Sequence, residues 1–445
     1  MKLSSDTAVD NLRRLNPSVH SAGQAPALAD LTLLARILAQ PRHEAGPELP
    51  SAERHRWRTP LGALGVVGAA LAVLLLVLTP WSGAPTANAS GWHLVNVSGG
   101  QFRDLGTVEG LPKLQCVTNE ICYAPGYGPT TAIRSAIYRT SDGGRHWTPS
   151  APVPSAVETQ TNTLQCATST FCYFKVGTSE GIVVTTSGGA SWTSLPLPAS
   201  AGKTDGVWCA NSLRCLVTES NLGTIYTFAV TSDGGKNWST QPGPSEAGNP
   251  WYLTCDSSGR CLEVELGGVN PDSLTALRSD SWGGPWVAQP PQSIGRVAIL
   301  YTSCADARHC MFVGLNAGFE IITTSDAGQT WTVFRPPHGW QNIATAVGCS
   351  DVERCWIATA SYDTNSPDGA YSHPTIEATS DLGRTWKSES IANTSPAIAD
   401  VLALSCPPSG EGCIGLGNGK DHFVLPSHRE RALSNPIILS NLPDR

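Results

Sequence analysis

The sequence is poor in charge and in methionine. Charged residues make up 15% of its 445 residues and only two residues are Met, whereas Gly (44), Pro (33) and Trp (14) are abundant. This balance argues against a helical bundle and favours turn-rich β-structure. No block of basic residues occurs beyond the N-terminal region, and the net charge is −7. Both features argue against nucleic acid as a partner.

Cysteine is absent before Cys116, and all fourteen cysteines follow the one long apolar run of the chain. This run, "LGALGVVGAALAVLLLVL" at 61–78, is free of charge and is about long enough to cross a bilayer. Arg54, Arg56 and Arg58 precede it, and the next basic residue is Arg103. The distribution of basic residues predicts a membrane anchor with a cytoplasmic N-terminus. The alternative is a helix buried in a protein core.

The position of the run divides the chain. About 60 residues precede the apolar core, which differs from a cleaved signal peptide and favours an uncleaved anchor. We therefore expect a cytoplasmic segment at 1–58, a transmembrane helix at 59–80, a linker at 81–90 and an extracytoplasmic domain at 91–445. Apolar residues at helical spacing between Asp30 and Pro41 predict one short cytoplasmic helix. It either docks on a partner or the membrane, or is a marginal helix on a disordered tail.

The cysteines form seven short-range pairs that repeat along the chain. The first members of successive pairs are 50, 43, 46, 49, 45 and 57 residues apart, which is the period of a four-stranded propeller blade. Two strand ends joined by a five-residue turn come within reach of a disulfide, and an extracytoplasmic location favours oxidation. Zinc is the competing interpretation, but its cysteine ligands are usually spaced more closely. The expected disulfide partners are Cys116/Cys122, Cys166/Cys172, Cys209/Cys215, Cys255/Cys261, Cys304/Cys310, Cys349/Cys355 and Cys406/Cys413.

A second marker follows each of the first six cysteine pairs. Typical copies read "TSDGGRHW", "TSDGGKNW" and "TSDLGRTW", and four of the six copies keep an Asp where Ser187 and Ser281 stand in the others. The Asp carboxylate can accept hydrogen bonds from the amides of its own turn, and the Trp that follows can pack between blades. A calcium role is disfavoured, because one carboxylate per turn falls short of the ligands that calcium prefers. The marker residues are Asp142, Trp147, Trp192, Asp233, Trp238, Trp286, Asp326, Trp331, Asp381 and Trp386.

The marker resembles the Asp-box, or bacterial neuraminidase repeat, over nearly the whole extracytoplasmic domain. The resemblance implies an all-β fold, and seven cysteine units imply a seven-bladed β-propeller with four-stranded blades. The seventh unit, from "VLALSC" to "DHFVLPS" at 421–427, lacks an outer strand. We expect residues 92–97, which resemble a strand without a blade, to supply that strand and close the ring.

The topology of a blade assigns its connections to two faces of the ring. The cysteine turn joins strands A and B and the Asp-box turn joins strands C and D, so both lie on one face. The other face carries the B–C and D–A connections, which vary most in length and sequence and where binding residues are most often found. Candidate contacts on that face are Tyr127, Arg134, Asp272, His338, Trp340, Tyr362, Asp363, Tyr371 and His373.

Catalysis is not expected from these residues. Sialidases share the Asp-box, but their chemistry needs three arginines around the substrate and a Tyr/Glu nucleophile pair. Sialidases also carry an Arg-Ile-Pro motif, and this chain lacks that motif. No catalytic triad order, phosphate-binding loop or His-rich cluster stands out, so no cofactor or metal is expected. The repeat is also similar to that of non-catalytic propellers in sortilin-type receptors and photosystem II assembly factors.

The sequence therefore predicts a membrane-anchored binding scaffold for a protein, peptide or glycan. An exo-sialidase-like glycoside hydrolase is the first alternative. The second is a transmembrane regulator, because "DNLRRLNPS" and "LLARILAQPR" resemble the leading segments of bacterial single-pass proteins that work beside sigma factors.

Overall fold

A computed structural model describes the chain from residue 91 to residue 441 with gaps in the connections. The predicted cytoplasmic segment, transmembrane helix and linker, all before residue 91, lie outside the described residues. Within the described part, no helix has the length and apolarity needed to span a membrane. The described residues are 91–95, 113–126, 136–153, 164–176, 181–198, 203–221, 225–244, 249–266, 273–294, 297–315, 319–336, 343–362, 371–389, 391, 398–408, 412–419 and 436–441.

The described strands form seven antiparallel sheets. The first strand, β1 (His93–Leu94), belongs to the last sheet and is treated with it. Blade 1 contains β2 (Gln115–Cys116), β3 (Cys122–Gly126), β4 (Ala136–Thr140) and β5 (Thr148–Pro149). Blade 2 contains β6 (Gln165–Cys166), β7 (Cys172–Val176), β8 (Gly181–Thr185) and β9 (Thr193–Leu195). Blade 3 contains β10 (Lys203–Cys209), β11 (Cys215–Asn221), β12 (Ile225–Thr231) and β13 (Ser239–Pro242).

The remaining blades follow the same order, with one interrupted outer strand. Blade 4 contains β14 (Asn249–Cys255), β15 (Cys261–Leu266) and β16 (Ser273–Ser279), and both β17 (Val287–Ala288) and β18 (Gln292–Ser293) pair with β16. Blade 5 contains β19 (Ala298–Cys304), β20 (Cys310–Leu315), β21 (Phe319–Thr324) and β22 (Thr332–Phe334). Blade 6 contains β23 (Ile343–Cys349), β24 (Cys355–Tyr362), β25 (Tyr371–Thr379) and β26 (Lys387–Glu389). Blade 7 contains β27 (Ile398–Ser405), β28 (Ile414–Gly419), β29 (Pro436–Ser440) and β1.

The first strands of blades 1 and 2, 3 and 4, 5 and 6, and 6 and 7 contact each other, which places the A strands toward the centre of a ring. The apolar core is divided into clusters, most of which lie between adjacent blades. In one such cluster, Tyr173 and Val184 of blade 2 pack against Val207 and Val217 of blade 3. This arrangement confirms the predicted all-β, seven-bladed propeller with four-stranded blades.

The ring is closed by the N-terminal strand, as the sequence predicts. In β1, His93 pairs with Ser440 and Leu94 with Leu439, so β1 is the outer strand of blade 7. The third strand of this blade differs from the expected unit, because it is β29 and not the "DHFVLPS" segment at 421–427. The physical reason is the apolar run in β29, where Ile438 and Leu439 are fully buried in the blade interfaces.

A carboxylate joins β1 to blade 6. Trp92 is completely buried, and its indole Nε1 donates to Glu389 Oε2 over 2.8 Å. Trp356 donates to the same oxygen over 3.1 Å. The backbone of Trp92 also forms a parallel bridge with Ile391. We call Trp92, Trp356 and Glu389 the clasp, since together they tie the first described strand to the neighbouring blade.

The seven cysteine pairs are disulfides, as predicted, and their Cα atoms are 3.9 to 4.1 Å apart. None of the cysteines is free, so none is the thiolate that a zinc site would need. In blade 3, Cys215 at the start of strand B pairs in register with Thr231 at the end of strand C. The A–B and C–D turns therefore lie on the same face, which we call the stapled face. The opposite face is called the variable face.

Candidate functional site

The predicted contacts of the variable face are only partly described. Tyr362 ends β24, and Tyr371 and His373 lie in β25, so one hairpin of blade 6 carries all three. The other six predicted contacts lie outside the described residues. The others are Tyr127, Arg134, Asp272, His338, Trp340 and Asp363.

The hairpin of blade 6 is the longest on the variable face among the described B–C pairs. Strand β24 has eight residues and β25 has nine. Tyr362 and Tyr371 are register partners at its end. The backbone thus places two tyrosine positions directly opposite each other at the rim of the variable face. The role of all nine predicted residues in binding remains a prediction.

The Asp turns of the stapled face are closed by their own hydrogen bonds. In blade 5, one oxygen of Asp326 accepts from Thr324 Oγ1 over 3.0 Å and from the backbone N–H of Thr330 over 2.9 Å. The other oxygen accepts from Thr330 Oγ1 over 2.6 Å. The Thr324 hydroxyl in turn accepts from the N–H of Gly328. Both carboxylate oxygens are therefore used inside the turn.

The two turns that lack Asp use hydroxyl groups. Ser187 Oγ accepts from the backbone N–H of Ser191 over 3.0 Å, as the Asp oxygen does elsewhere. In blade 4, Ser281 Oγ donates to the carbonyl of Gly284 over 2.6 Å. A shorter side chain thus closes the turn without a charge. This difference explains how the marker tolerates Ser in two of its six copies.

Hydrogen bonding also controls the ionisation of the Asp turns. The backbone N–H of Asn237, followed by its side-chain amide, lowers the pKa of Asp233 to about 2. Burial alone would raise the pKa of Asp326, but bonds from Thr330 and Thr324 lower it below its usual range. The same direction holds for Asp142 and Asp381. These carboxylates are stabilised as anions by their own turns.

A small cavity opens on the stapled face where blades 4 and 5 meet, and its volume is about 130 Å³. Three arginines from different turns and strands reach it. Arg260 belongs to the A–B turn of blade 4, Arg278 lies in strand β16 and Arg308 belongs to the A–B turn of blade 5. The lining consists of Arg260, Cys261, Arg278, Asp280, Ala307, Arg308 and Ala327. We call this feature the arginine cavity.

Two of the three arginines have an acidic partner. Arg260 Nε lies 2.9 Å from Asp256 Oδ2, and the Nη2 atom of Arg278 lies 2.8 Å from Asp280 Oδ2. The Arg278 side chain is 31% exposed and Asp280 is 66% exposed, so water weakens this ion pair. Arg308 is exposed, and none of the ion pairs between described residues involves it. The side chains that line the cavity carry an excess of positive charge.

An arginine cavity of this kind can hold an anion. Guanidinium groups present several N–H donors in a plane and form paired bonds with carboxylate or phosphate oxygens. Arg308 has donors available, and the partly exposed pair of Arg278 can exchange partners. The described residues contain no group of three or more His, Cys, Asp or Glu side chains placed to hold a metal ion. The arginine side chains therefore give the cavity N–H donors of the kind that suit an anion.

Sequence reasoning missed the arginine cavity because it placed the candidate contacts on the variable face. A signal was present, since Arg occupies the position before the second cysteine in three blades, at Arg214, Arg260 and Arg354. In all three blades the guanidinium also serves the fold, because Arg214 lies 5.0 Å over the ring of Trp282. Arg260 Nε bonds to Asp256, and Arg354 Nε bonds to Asp351. Among the described residues, the adjacency of blades 4 and 5 brings three arginines to one cavity.

Comparison with known proteins identifies the fold class. No family model matches the sequence, and no curated protein matches it. The chain is similar to a solved structure described as YCF48 bound to D1 peptide, with 16% identity, a TM-score of 0.50, and coverage of 81% of this chain and 98% of that chain. YCF48 from Cyanidioschyzon merolae is 13% identical, with a TM-score of 0.48 and coverage of 79% and 98%.

A structure of the Niastella koreensis GH74 enzyme is also similar, with 13% identity, a TM-score of 0.42, and coverage of 69% of this chain and 62% of that chain. At 16% identity, the likeness to the structure of YCF48 bound to D1 peptide shows the β-propeller fold alone.

Proposed function

We propose that this protein is a membrane-anchored, extracytoplasmic binding scaffold that holds a polypeptide ligand through an acidic group. The arginine cavity is the observation that carries the proposal, because Arg308 and Arg278 present guanidinium donors at a concave surface. A carboxylate side chain or a chain terminus supplies the complementary charge. The propeller described as YCF48 bound to D1 peptide has the same fold and holds a peptide, which supports the choice of a polypeptide ligand.

The rest of the assignment follows from the sequence. The charge-free run at 61–78 supports the anchor, and the seven disulfides suit an oxidising compartment. We place the Thr-x-Asp turns in the Asp-box class, because the carboxylate closes its own turn as that resemblance implies. The variable face, with Tyr362 and Tyr371 at its rim, would provide a second contact area for the same ligand.

Binding to a simple anionic peptide tests this proposal. The probe is a fluorescent glutamate-rich peptide with a free C-terminus, and binding to the full chain in detergent is followed by fluorescence anisotropy. The variants Arg308→Gln and Arg278→Gln should each weaken binding about tenfold, since each removes one charge-assisted contact. Added salt should weaken binding to the unaltered protein.

The matched control is Arg145→Gln, which removes an exposed arginine of the stapled face outside the cavity. This variant should bind the peptide like the unaltered protein. Equal losses in the Arg145 and Arg308 variants would show that binding depends only on general charge. A lysine-rich peptide that binds as tightly as the glutamate-rich peptide would also contradict the proposal.

A further inference from the structure

The first described strand has a direction that locates the start of the ring. In β1, His93 pairs with Ser440, and Ser440 in turn pairs with Ile414, which follows Cys413. Cys413 closes the A–B turn of blade 7, so this end of the blade belongs to the stapled face. Strand β1 therefore begins at the stapled face and runs toward the variable face. The chain that precedes residue 91 meets the propeller on the stapled side.

The clasp holds this entry point in place. Trp92 is completely buried and bonds to Glu389 Oε2 over 2.8 Å. A parallel bridge to Ile391 holds its backbone as well. The start of the ring is thus held by side-chain and backbone contacts to blade 6, which fix the point at which residue 92 joins the ring.

The distance along the sequence to the predicted anchor is short. Thirteen residues, 79 to 91, separate the apolar run from Trp92. Fully extended, they reach about 45 Å. A blade strand of seven residues rises about 23 Å. To turn the variable face to the bilayer, the linker would have to run back along a whole blade and use about half of its reach. Ordering a chain in this way costs conformational entropy.

We propose that the stapled face is turned toward the membrane and the variable face away from it. The proposal rests on the proposed function, because it takes the predicted transmembrane helix at 59–80, which contains the apolar run at 61–78, as the membrane anchor. The direction of β1 and the short linker carry it together. The arginine cavity then opens toward the bilayer, so a ligand of this cavity enters the space between the ring and the lipid headgroups.

Energy transfer from the ring to the bilayer tests this orientation. The full chain is reconstituted in vesicles with an acceptor dye on the lipid headgroups, and a donor dye is attached to one new cysteine. All native cysteines are paired, so the new thiol reacts alone. Leu213→Cys and Val352→Cys mark the stapled face, because these side chains lie in A–B turns and are 56% and 40% exposed.

Each position has a matched control in its own blade. By sequence, Leu222→Cys and Asn365→Cys fall in the B–C connections of blades 3 and 6, which join strand ends that lie on the variable face. We expect several-fold stronger energy transfer from the donors at 213 and 352 than from those at 222 and 365. The use of two blades corrects for a tilt of the ring, since a tilt moves opposite sides of the ring in opposite directions.

Equal transfer from both faces, or stronger transfer from the variable face, would overturn the orientation and leave the anchor and the anion site standing. A chain that does not float with the vesicles after a salt wash would overturn the anchor and the orientation together. Peptide binding by the arginine cavity is measured in detergent and is independent of both results. The failures are therefore distinguishable.

Discussion

Each Asp turn of the stapled face needs a residue with positive φ directly after the Asp. Gly234 fills this position in blade 3 with φ of 75°, whereas Ala327 fills it in blade 5 with φ of 60°. Glycine adopts this conformation freely, but an L-residue is strained there. The recurrence of Gly after Asp in "SDGG" therefore has a backbone cause. The two blades solve the same turn with different residues.

The variant Gly234→Ala should lower the free energy of unfolding by about 1 kcal/mol, because its new Cβ meets a positive φ and lies 3.2 Å from the Ser212 carbonyl oxygen. The counterpart variant Ala327→Gly should have a free energy of unfolding close to that of the unaltered protein. There, relief of about 1 kcal/mol of strain is offset by a buried methyl worth about 0.8 kcal/mol. Urea unfolding, monitored by Trp fluorescence, measures the stability of both variants. A neutral Gly234→Ala would contradict the assigned turn geometry.

Protonation of the Asp turns should weaken the fold in acid. Asp233 has an ordinary pKa of 3.8 that its turn lowers to about 2. Because the folded-state pKa lies below the unfolded one, the stabilisation is complete above the unfolded pKa and is lost as pH falls through the folded pKa. We therefore expect the urea concentration at the unfolding midpoint to decrease as the pH is lowered from about 4 to about 2.

The control for this effect is Asp233→Asn, which has no carboxylate to protonate. Its midpoint should lie below that of the unaltered protein at neutral pH, and the two should converge as the pH approaches about 2. A constant difference between the two proteins across this range would show that the Asp233 charge does not contribute to stability.

At the scale of elements, the clasp is the contact on which closure of the ring depends. Glu389→Ala leaves the indole N–H groups of Trp92 and Trp356 without their acceptor. We expect a loss of about 3 kcal/mol in the free energy of unfolding, since each indole loses a hydrogen bond to a charged group. Glu389→Gln should lose less, because it keeps one acceptor oxygen.

Glu353→Ala is the matched control, since Glu353 is an exposed residue of the same blade. Urea unfolding gives the stabilities, and size-exclusion chromatography reports whether an opened ring pairs its free strand edge with another copy. If the Glu389→Ala protein were as stable as the Glu353→Ala protein, the clasp would not stabilise the closed ring.

The blades are the elements that sequence reasoning predicted best. Each blade carries a covalent marker at a fixed place, because a disulfide needs two strand ends in register, as Cys215 and Cys209 are. The closing strand was predictable because 92–97 has strand character without a blade of its own. The third strand of blade 7 was not predictable, since no cysteine or Asp turn accompanies β29.

At the scale of the whole molecule, the arginine cavity is a product of the ring. Arg278 and Arg308 are 30 positions apart and belong to different blades, and each alone resembles an ordinary surface residue. Local patterns predict strands and turns, but they do not report which turns of neighbouring blades converge. Sequence reasoning therefore found the variable face, where loop length is visible, and missed the cavity on the stapled face.

Both proposals concern the stapled face. The chain enters the ring on the stapled face, and the arginine cavity opens on that face. A ligand bound there would lie between the propeller and the predicted anchor. The variable face would then be free for contacts away from the membrane.

A charge exchange tests the central claim, that the arginine cavity binds an acidic ligand, most directly. Arg308→Glu should abolish binding of the glutamate-rich peptide, because it places a carboxylate where the ligand carboxylate would lie. The same variant should bind the lysine-rich peptide more tightly than the unaltered protein does. Anisotropy titrations of both peptides against both proteins give the four affinities. If Arg308→Glu kept its affinity for the glutamate-rich peptide, the cavity would not be the binding site.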